Sequence, residues 1–138
     1  MAIVKQPNIK KTALEEVMDL FGSLPNKFYL TGSRAFLASH QGSDWDYFVQ
    51  FEPDLQEMLV KFGFKKVEIT DYADMQIETV LYHARANVHL QIVIDAEVKA
   101  KAQEIMMAFY YCKPIPKCSE TRVQWNKCIG FANEILNR

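Results

Sequence analysis

Apolar residues recur at two spacings along the chain, and the two spacings separate predicted helices from predicted strands. Spacings of three and four residues predict helices over 13–22, 53–62, 96–111 and from 119 towards 136. Apolar and β-branched runs bounded by turn residues predict strands over 26–31, 43–51, 64–70, 78–84 and 87–94. We therefore expect an α/β (α+β) protein in which a β-sheet is flanked by helices, with further helices at the C-terminal end.

Residues at the ends of these segments support the predicted boundaries. Thr12 and Glu15 have the spacing of a capping box at the start of the first helix. Pro53 suits the first turn of the second helix, and Gly63 is placed to end it. Residues 84–87 read as a hairpin turn, so the last two strands should pair antiparallel.

The chain is long enough for one domain and too short for two. It has 138 residues, of which 49% are hydrophobic, and this suffices for a single core. We expect one domain over 1–138, with a core at about 10–95 and a helical part at 96–138. The formal net charge of −1 gives no overall basic field, which argues against a general nucleic-acid binder.

Targeting signals and cysteine motifs are not found in the sequence. Its apolar stretches are too short for a signal peptide or a membrane span, so we expect a cytoplasmic protein with no membrane partner. Cys112, Cys118 and Cys128 are an odd number and lack Cys-x-x-Cys spacing. This argues against a disulfide framework and a zinc knuckle, and we expect free thiols.

Two acidic residues alternate with aromatic residues in the predicted strand 43–51. Side chains two apart in a strand point to the same face, so Asp44 and Asp46 should lie side by side. Trp45 and Tyr47 then face the other way, into the core. Like charges this close favour a cation between them, and carboxylate oxygens suit Mg²⁺ bound jointly with a polyphosphate. The alternative is a surface hairpin with two solvated aspartates.

A glycine follows the first predicted strand. Gly32 has no side chain, so backbone amides there can approach a phosphate closely. A short helix is predicted over 34–38, and the N-terminus of a helix favours negative charge. Arg34 is the nearest side chain that can clamp a phosphate, and its alternative role is that of a solvated helix residue.

Taken together, these motifs resemble the signature of the DNA polymerase beta type nucleotidyltransferase superfamily, in its minimal stand-alone form. In this sequence the signature consists of Gly32-Ser33, about ten further residues, and then Ser43-Asp44-Trp45-Asp46-Tyr47. The motif spans about residues 30–49, and the order of elements extends the resemblance to about 10–95.

The resemblance implies a Mg²⁺-dependent enzyme that transfers a nucleoside monophosphate from a nucleoside triphosphate to a hydroxyl group. The acceptor would be a small molecule, an RNA end or a protein side chain. Gly32, Ser33 and Arg34 would bind the nucleotide. Ser33 would contact a phosphate, or alternatively cap the short helix.

The resemblance also implies a mixed sheet with the strands 26–31, 43–51 and 87–94 as neighbours, and with the helices mainly on one side. Family members usually carry a third carboxylate on the last of these strands. Here the best matching position is His89, with Gln91 as the alternative register, and neither residue is an acid. His89 would then act as a general base or a metal ligand, unless it makes a structural hydrogen bond.

Two functional classes remain open. The first is the enzyme, with Asp44, Asp46 and His89 as catalytic residues and the two aspartates as metal ligands. The second is a catalytically impaired module with the same fold, which acts by nucleotide or protein binding, as antitoxin-like or regulatory proteins do. A protein partner or a homodimer is compatible with either class. The intact aspartates favour the enzyme, and the missing third acid favours the module.

Overall fold

The computed structural model describes residues 10–36, 39–68, 77–112 and 118–136, which form a mixed sheet and helices on both of its faces. In chain order the elements are α1 (Ala13–Ser23), β1 (Tyr29–Thr31), α2 (Gly32–Ala35), β2 (Trp45–Gln50), α3 (Pro53–Phe62), β3 (Lys65–Val67), β4 (Ile77–His83), β5 (Val88–Val93), α4 (Ala96–Cys112) and α5 (Arg122–Leu136), with a 3₁₀ turn at Ser119–Thr121 before α5. The predicted α+β class is confirmed.

The strands form one sheet in the order β1-β2-β5-β4-β3. β2 and β5 are parallel, whereas β1 is antiparallel to β2, and β4 is antiparallel to both β5 and β3. The predicted adjacency of the first, acidic and last strands is confirmed, and so is the antiparallel hairpin through residues 84–87. The first strand is shorter than predicted, because only Tyr29–Thr31 pair with β2.

One face of the sheet packs against α1 and α3. The capping box of Thr12 and Glu15 is present at the start of α1, and Pro53 lies in the first turn of α3. The buried core on this face consists of Val17, Phe21, Leu55, Leu59, Val49, Leu81, Val88, Leu90 and Ile92, together with neighbouring residues. Trp45 and Tyr47 pack against it, as predicted. Burial of each large apolar side chain contributes about 1.5–3 kcal/mol, so this layer supplies much of the stability.

The opposite face of the sheet is covered in part by α4. Phe48 of β2 and Val93 of β5 pack there against Ala96. Side-chain oxygens of Gln50 and Asp95 accept hydrogen bonds of 2.8 and 3.1 Å from backbone N–H groups in the first turn of α4, which fixes its start. The expectation that the helices pack mainly on one side is therefore wrong, because apolar side chains at this end of both strands also need cover.

The second helical layer extends over α2. Its buried residues are Phe36, Ala102, Met106, Trp125 and Ala132, from α4, α5 and the end of α2. Gln103 of α4 also donates a hydrogen bond of 2.8 Å to the backbone oxygen of Leu30 in β1. The helices α4 and α5 thus pack against Phe36, directly after α2, and α4 also bonds to β1.

Parts of two predicted elements lie outside the residues that the structure describes. The short helix begins at Gly32 rather than at residue 34, and positions 37–38 lie outside the described part, as do 69–70 of the third predicted strand. Cys112, Cys118 and Cys128 are free thiols, as expected. Among the helices that the structure describes, none is both long and apolar enough to cross a membrane.

Candidate metal centre

The parallel pairing of β2 and β5 brings two predicted site residues together. Asp46 of β2 lies directly opposite His89 of β5 in the strand register. Asp44 precedes the first residue of β2 by one position, and its side chain reaches the same imidazole. Nδ1 of His89 is 2.5 Å from Oδ2 of Asp44 and 3.6 Å from Oδ1 of Asp46. One potential ligand atom from each residue lies within 4.8 Å of the others.

The cluster is half-buried at the surface of the sheet. The side chains of Asp44, Asp46 and His89 are 34%, 15% and 24% exposed, so a ligand can reach all three from solvent. The hydrogen bond from His89 holds the pKa of Asp44 below its usual value, and partial burial of the carboxyl group opposes this effect. Asp44 is therefore a carboxylate at neutral pH and available to a cation.

The ring of His89 is held in place by Tyr82, its partner across β4 and β5. The two rings stack with centroids 4.3 Å apart and planes inclined by 27°. The hydroxyl of Tyr82 donates a hydrogen bond of 2.9 Å to Oδ1 of Asn87, which fixes the tyrosine in turn. Sequence reasoning missed this contact, although a four-residue turn at 84–87 places residue 83 opposite 88, and hence residue 82 opposite 89.

Gly32 lies against the carboxylate of Asp46. Its φ is +71°, which disfavours any residue with a side chain. A Cβ atom at this position would overlap Oδ2 of Asp46 and would lie 3.0 Å from its Cβ and Cγ. The sequence predicted a glycine that allows close approach to a phosphate. The close neighbour that the structure reveals is a carboxylate, and the phosphate contact stays a prediction.

Arg34 and Ser33 have less direct roles in the structure. Nη2 and Nε of Arg34 donate hydrogen bonds of 2.7 and 3.3 Å to the backbone oxygens of Ser43 and Asp44. Its guanidinium also lies over the ring of Trp45, 4.1 Å from the centroid. Arg34 thus anchors the chain just before β2 and is not a solvated helix residue. Ser33 is not the helix cap, because Thr31 occupies the N-cap position of α2.

Gln91 lies on the same face as His89, two residues further along β5 and opposite Phe48 of β2. The register therefore puts His89, and not Gln91, opposite Asp46. Gln91 is 6% exposed, and its Oε1 has no hydrogen-bond partner among the described residues. A buried amide oxygen without a donor is unfavourable by about 1–3 kcal/mol. Sequence parity placed Gln91 on this face but gave no sign of its burial.

The donor set suits a divalent cation. Two carboxylates and an imidazole are all common metal ligands, and within the described part of the chain no other three His, Cys, Asp or Glu residues lie close enough to share an ion. Comparison with protein-family models, with curated proteins and with solved structures found no match to the chain. The chemistry of the cluster itself must therefore carry the functional argument.

Proposed function

We propose that the protein is a divalent-metal-dependent nucleotidyltransferase, which moves a nucleoside monophosphate from a nucleoside triphosphate to a hydroxyl group. One observation carries the proposal. Asp44 and Asp46 lie close to His89 where β2 pairs in parallel with β5. Gly32 lies directly beside Asp46, at a position that excludes any side chain. The resemblance requires Asp44 and Asp46 to lie on a strand next to the one that carries His89. Aspartates on a helix, or on a strand that is not a neighbour, would have contradicted the resemblance.

Each residue has a role in this proposal. Asp44 and Asp46 hold the cation, with His89 beside them as the third potential ligand. A cation held there would neutralise phosphate charge and lower the pKa of an attacking hydroxyl group. Gly32 keeps the space above Asp46 free of a side chain, and the neighbouring Ser33 is the predicted contact to a phosphate.

The transfer balances without a further reactant. The acceptor oxygen forms a bond to the α-phosphorus, and the bond from that phosphorus to the oxygen bridging to the β-phosphate breaks. Pyrophosphate leaves with the bond electrons. The proton of the hydroxyl passes to the imidazole of His89 if that group is free, and to solvent if the imidazole is a metal ligand.

The proposal is tested by replacing each aspartate. The melting temperature of the parent should rise when a nucleoside triphosphate and a divalent cation are present together, because both bind the folded state. A ligand at a hundred times its dissociation constant stabilises by about 2.7 kcal/mol. Asp44→Asn and Asp46→Asn should each abolish this rise and also the transfer of label from an α-labelled triphosphate.

Asp54→Asn is the matched control, since this exposed carboxylate lies in the first turn of α3 and outside the cluster. It should respond as the parent does. If both cluster variants also keep the response, the binding site lies elsewhere and the proposal fails.

One observation favours a second candidate, the catalytically impaired binding module. The position opposite Asp46 holds His89 where the enzymes it resembles carry an acid. His89→Asp separates the two candidates. In an enzyme with a weakened site, the added carboxylate should strengthen Mg²⁺ binding and raise turnover. In a binding module, three acids without an ion should repel one another, lower the melting temperature and give no transfer.

A further inference from the structure

We propose that His89 makes this centre select Zn²⁺, and after it Mn²⁺, over the Mg²⁺ that two aspartates alone would favour. The inference concerns the same site as the proposed function and rests on it for the assignment of the aspartates as ligands. It adds which ion they hold.

The first step is the position of the imidazole nitrogen. Nδ1 of His89 is the ring atom that faces both carboxylates, at 2.5 and 3.6 Å. An ion shared by Asp44 and Asp46 therefore has this nitrogen as a neighbour. The ring cannot easily turn away, because Tyr82 stacks on it at 4.3 Å. The site thus offers a mixed set of oxygen and nitrogen donors.

The second step is the preference of ions for such donors. Mg²⁺ is a hard ion that favours oxygen ligands, holds its water tightly and demands a near-octahedral shell. Imidazole nitrogen suits Zn²⁺ well, and a given site of nitrogen and oxygen ligands binds Zn²⁺ more tightly than Mn²⁺. Three protein ligands at a partly exposed position also match the open centres in which zinc keeps a place for substrate.

Calorimetric titration of the full chain with ZnCl₂, MnCl₂ and MgCl₂ tests the inference without any enzymatic readout. The parent should bind Zn²⁺ tightest and Mg²⁺ weakest, with roughly a tenfold or larger gap between these two. His89→Asp should weaken Zn²⁺ binding and strengthen Mg²⁺ binding. The ratio of Zn²⁺ affinity to Mg²⁺ affinity should therefore fall by about tenfold or more.

His89→Gln covers the case in which a third acid prevents folding. It removes the imidazole without adding charge, and it should lose Zn²⁺ affinity while Mg²⁺ affinity changes little. His40→Asp is the matched control, since His40 lies in the exposed loop before Asp44 and outside the cluster. Its Zn²⁺ to Mg²⁺ ratio should equal that of the parent.

The outcomes separate this inference from the proposed function. Equal or tighter binding of Mg²⁺ by the parent, or an unchanged ratio in both His89 variants, overturns the inference and leaves nucleotidyl transfer intact. Zinc-selective binding that depends on His89 upholds the inference, even if no triphosphate is ever turned over. If no ion binds in the absence of nucleotide, the inference is wrong, and the thermal-shift and label-transfer measurements with triphosphate still decide the proposed function.

Discussion

Gly32 is tightly constrained at its place beside the cluster. Its positive φ and its contact with Asp46 both exclude a side chain. We expect Gly32→Ala to lower the free energy of unfolding by about 2 kcal/mol, from backbone strain and from displacement of the carboxylate. It should also abolish stabilisation by divalent ions, because Asp46 must move. Urea unfolding with and without the ion measures both effects.

Gly22→Ala is the control for this substitution. Gly22 lies exposed in α1, and a Cβ atom added there would meet no heavy atom within 4 Å. Alanine at this position should leave the protein as stable as the parent or stabilise it by up to about 1 kcal/mol. A Gly32→Ala protein that matched the parent in stability and ion response would show that the close approach is not required.

At the scale of elements, the side chain of Arg34 anchors the end of the loop before β2. Arg34 bonds the backbone oxygens of Ser43 and Asp44 and stacks on Trp45. Lysine cannot form the same planar fork. Arg34→Lys should therefore lower the free energy of unfolding by about 1–2 kcal/mol and weaken ion binding even when no nucleotide is present.

A phosphate clamp would behave differently from such an anchor. If Arg34 binds phosphate, the lysine variant should bind the ion alone as the parent does and lose affinity only for the triphosphate. Arg85→Lys, at an exposed position of the 84–87 turn, controls for the loss of a guanidinium. Titrations with the ion alone and with ion plus triphosphate distinguish the two roles.

Helices could be predicted well because their signals are local. Thr12, Pro53 and Gly63 mark the ends of α1 and α3, and each acts on its own segment. Strand ends and sheet faces could be predicted less well, because they depend on partners far along the chain. The pairing of the first strand begins only at Tyr29, and α4 covers Phe48. No local sequence pattern predicts either feature.

The candidate site shows the same difference between features set by local sequence and features set by distant partners. Strand parity predicted that Asp44 and Asp46 share a face, and the resemblance singled out His89 on the neighbouring strand. The anchoring role of Arg34 and the ring stack of Tyr82 were not predicted, because side-chain direction between elements is set by packing. These contacts decide how firmly the cluster is held.

At the scale of the whole molecule, the response to alkaline pH tests how tightly α1 packs on the sheet. Burial raises the pKa of Tyr47 above the ordinary 10.0, and its hydroxyl lies 3.4 Å from Sδ of Met18 in α1. Above about pH 10 the unfolded chain loses this proton while the folded protein keeps it. The folded state then binds more protons, so stability falls as pH rises.

Tyr47→Phe removes the titrating group and keeps the ring. We expect the free energy of unfolding of the parent to fall more steeply than that of the variant between about pH 9 and 11. Urea titrations at several pH values give the difference, in which the other ionisable groups cancel. Parallel curves for the two proteins would contradict the burial of this hydroxyl.

Because the cluster forms where β2 pairs with β5, the effect of the ion on the folding rates reports when these two strands pair. Asp44 and His89 are 45 positions apart, so the cluster exists only after a long loop has closed. An ion that binds only the closed cluster slows unfolding if these two strands pair after the transition state. It speeds refolding only if these two strands are already paired in the transition state. Stopped-flow measurements of the folding and unfolding rates, with and without the ion, therefore show whether β2 and β5 pair before or after the transition state.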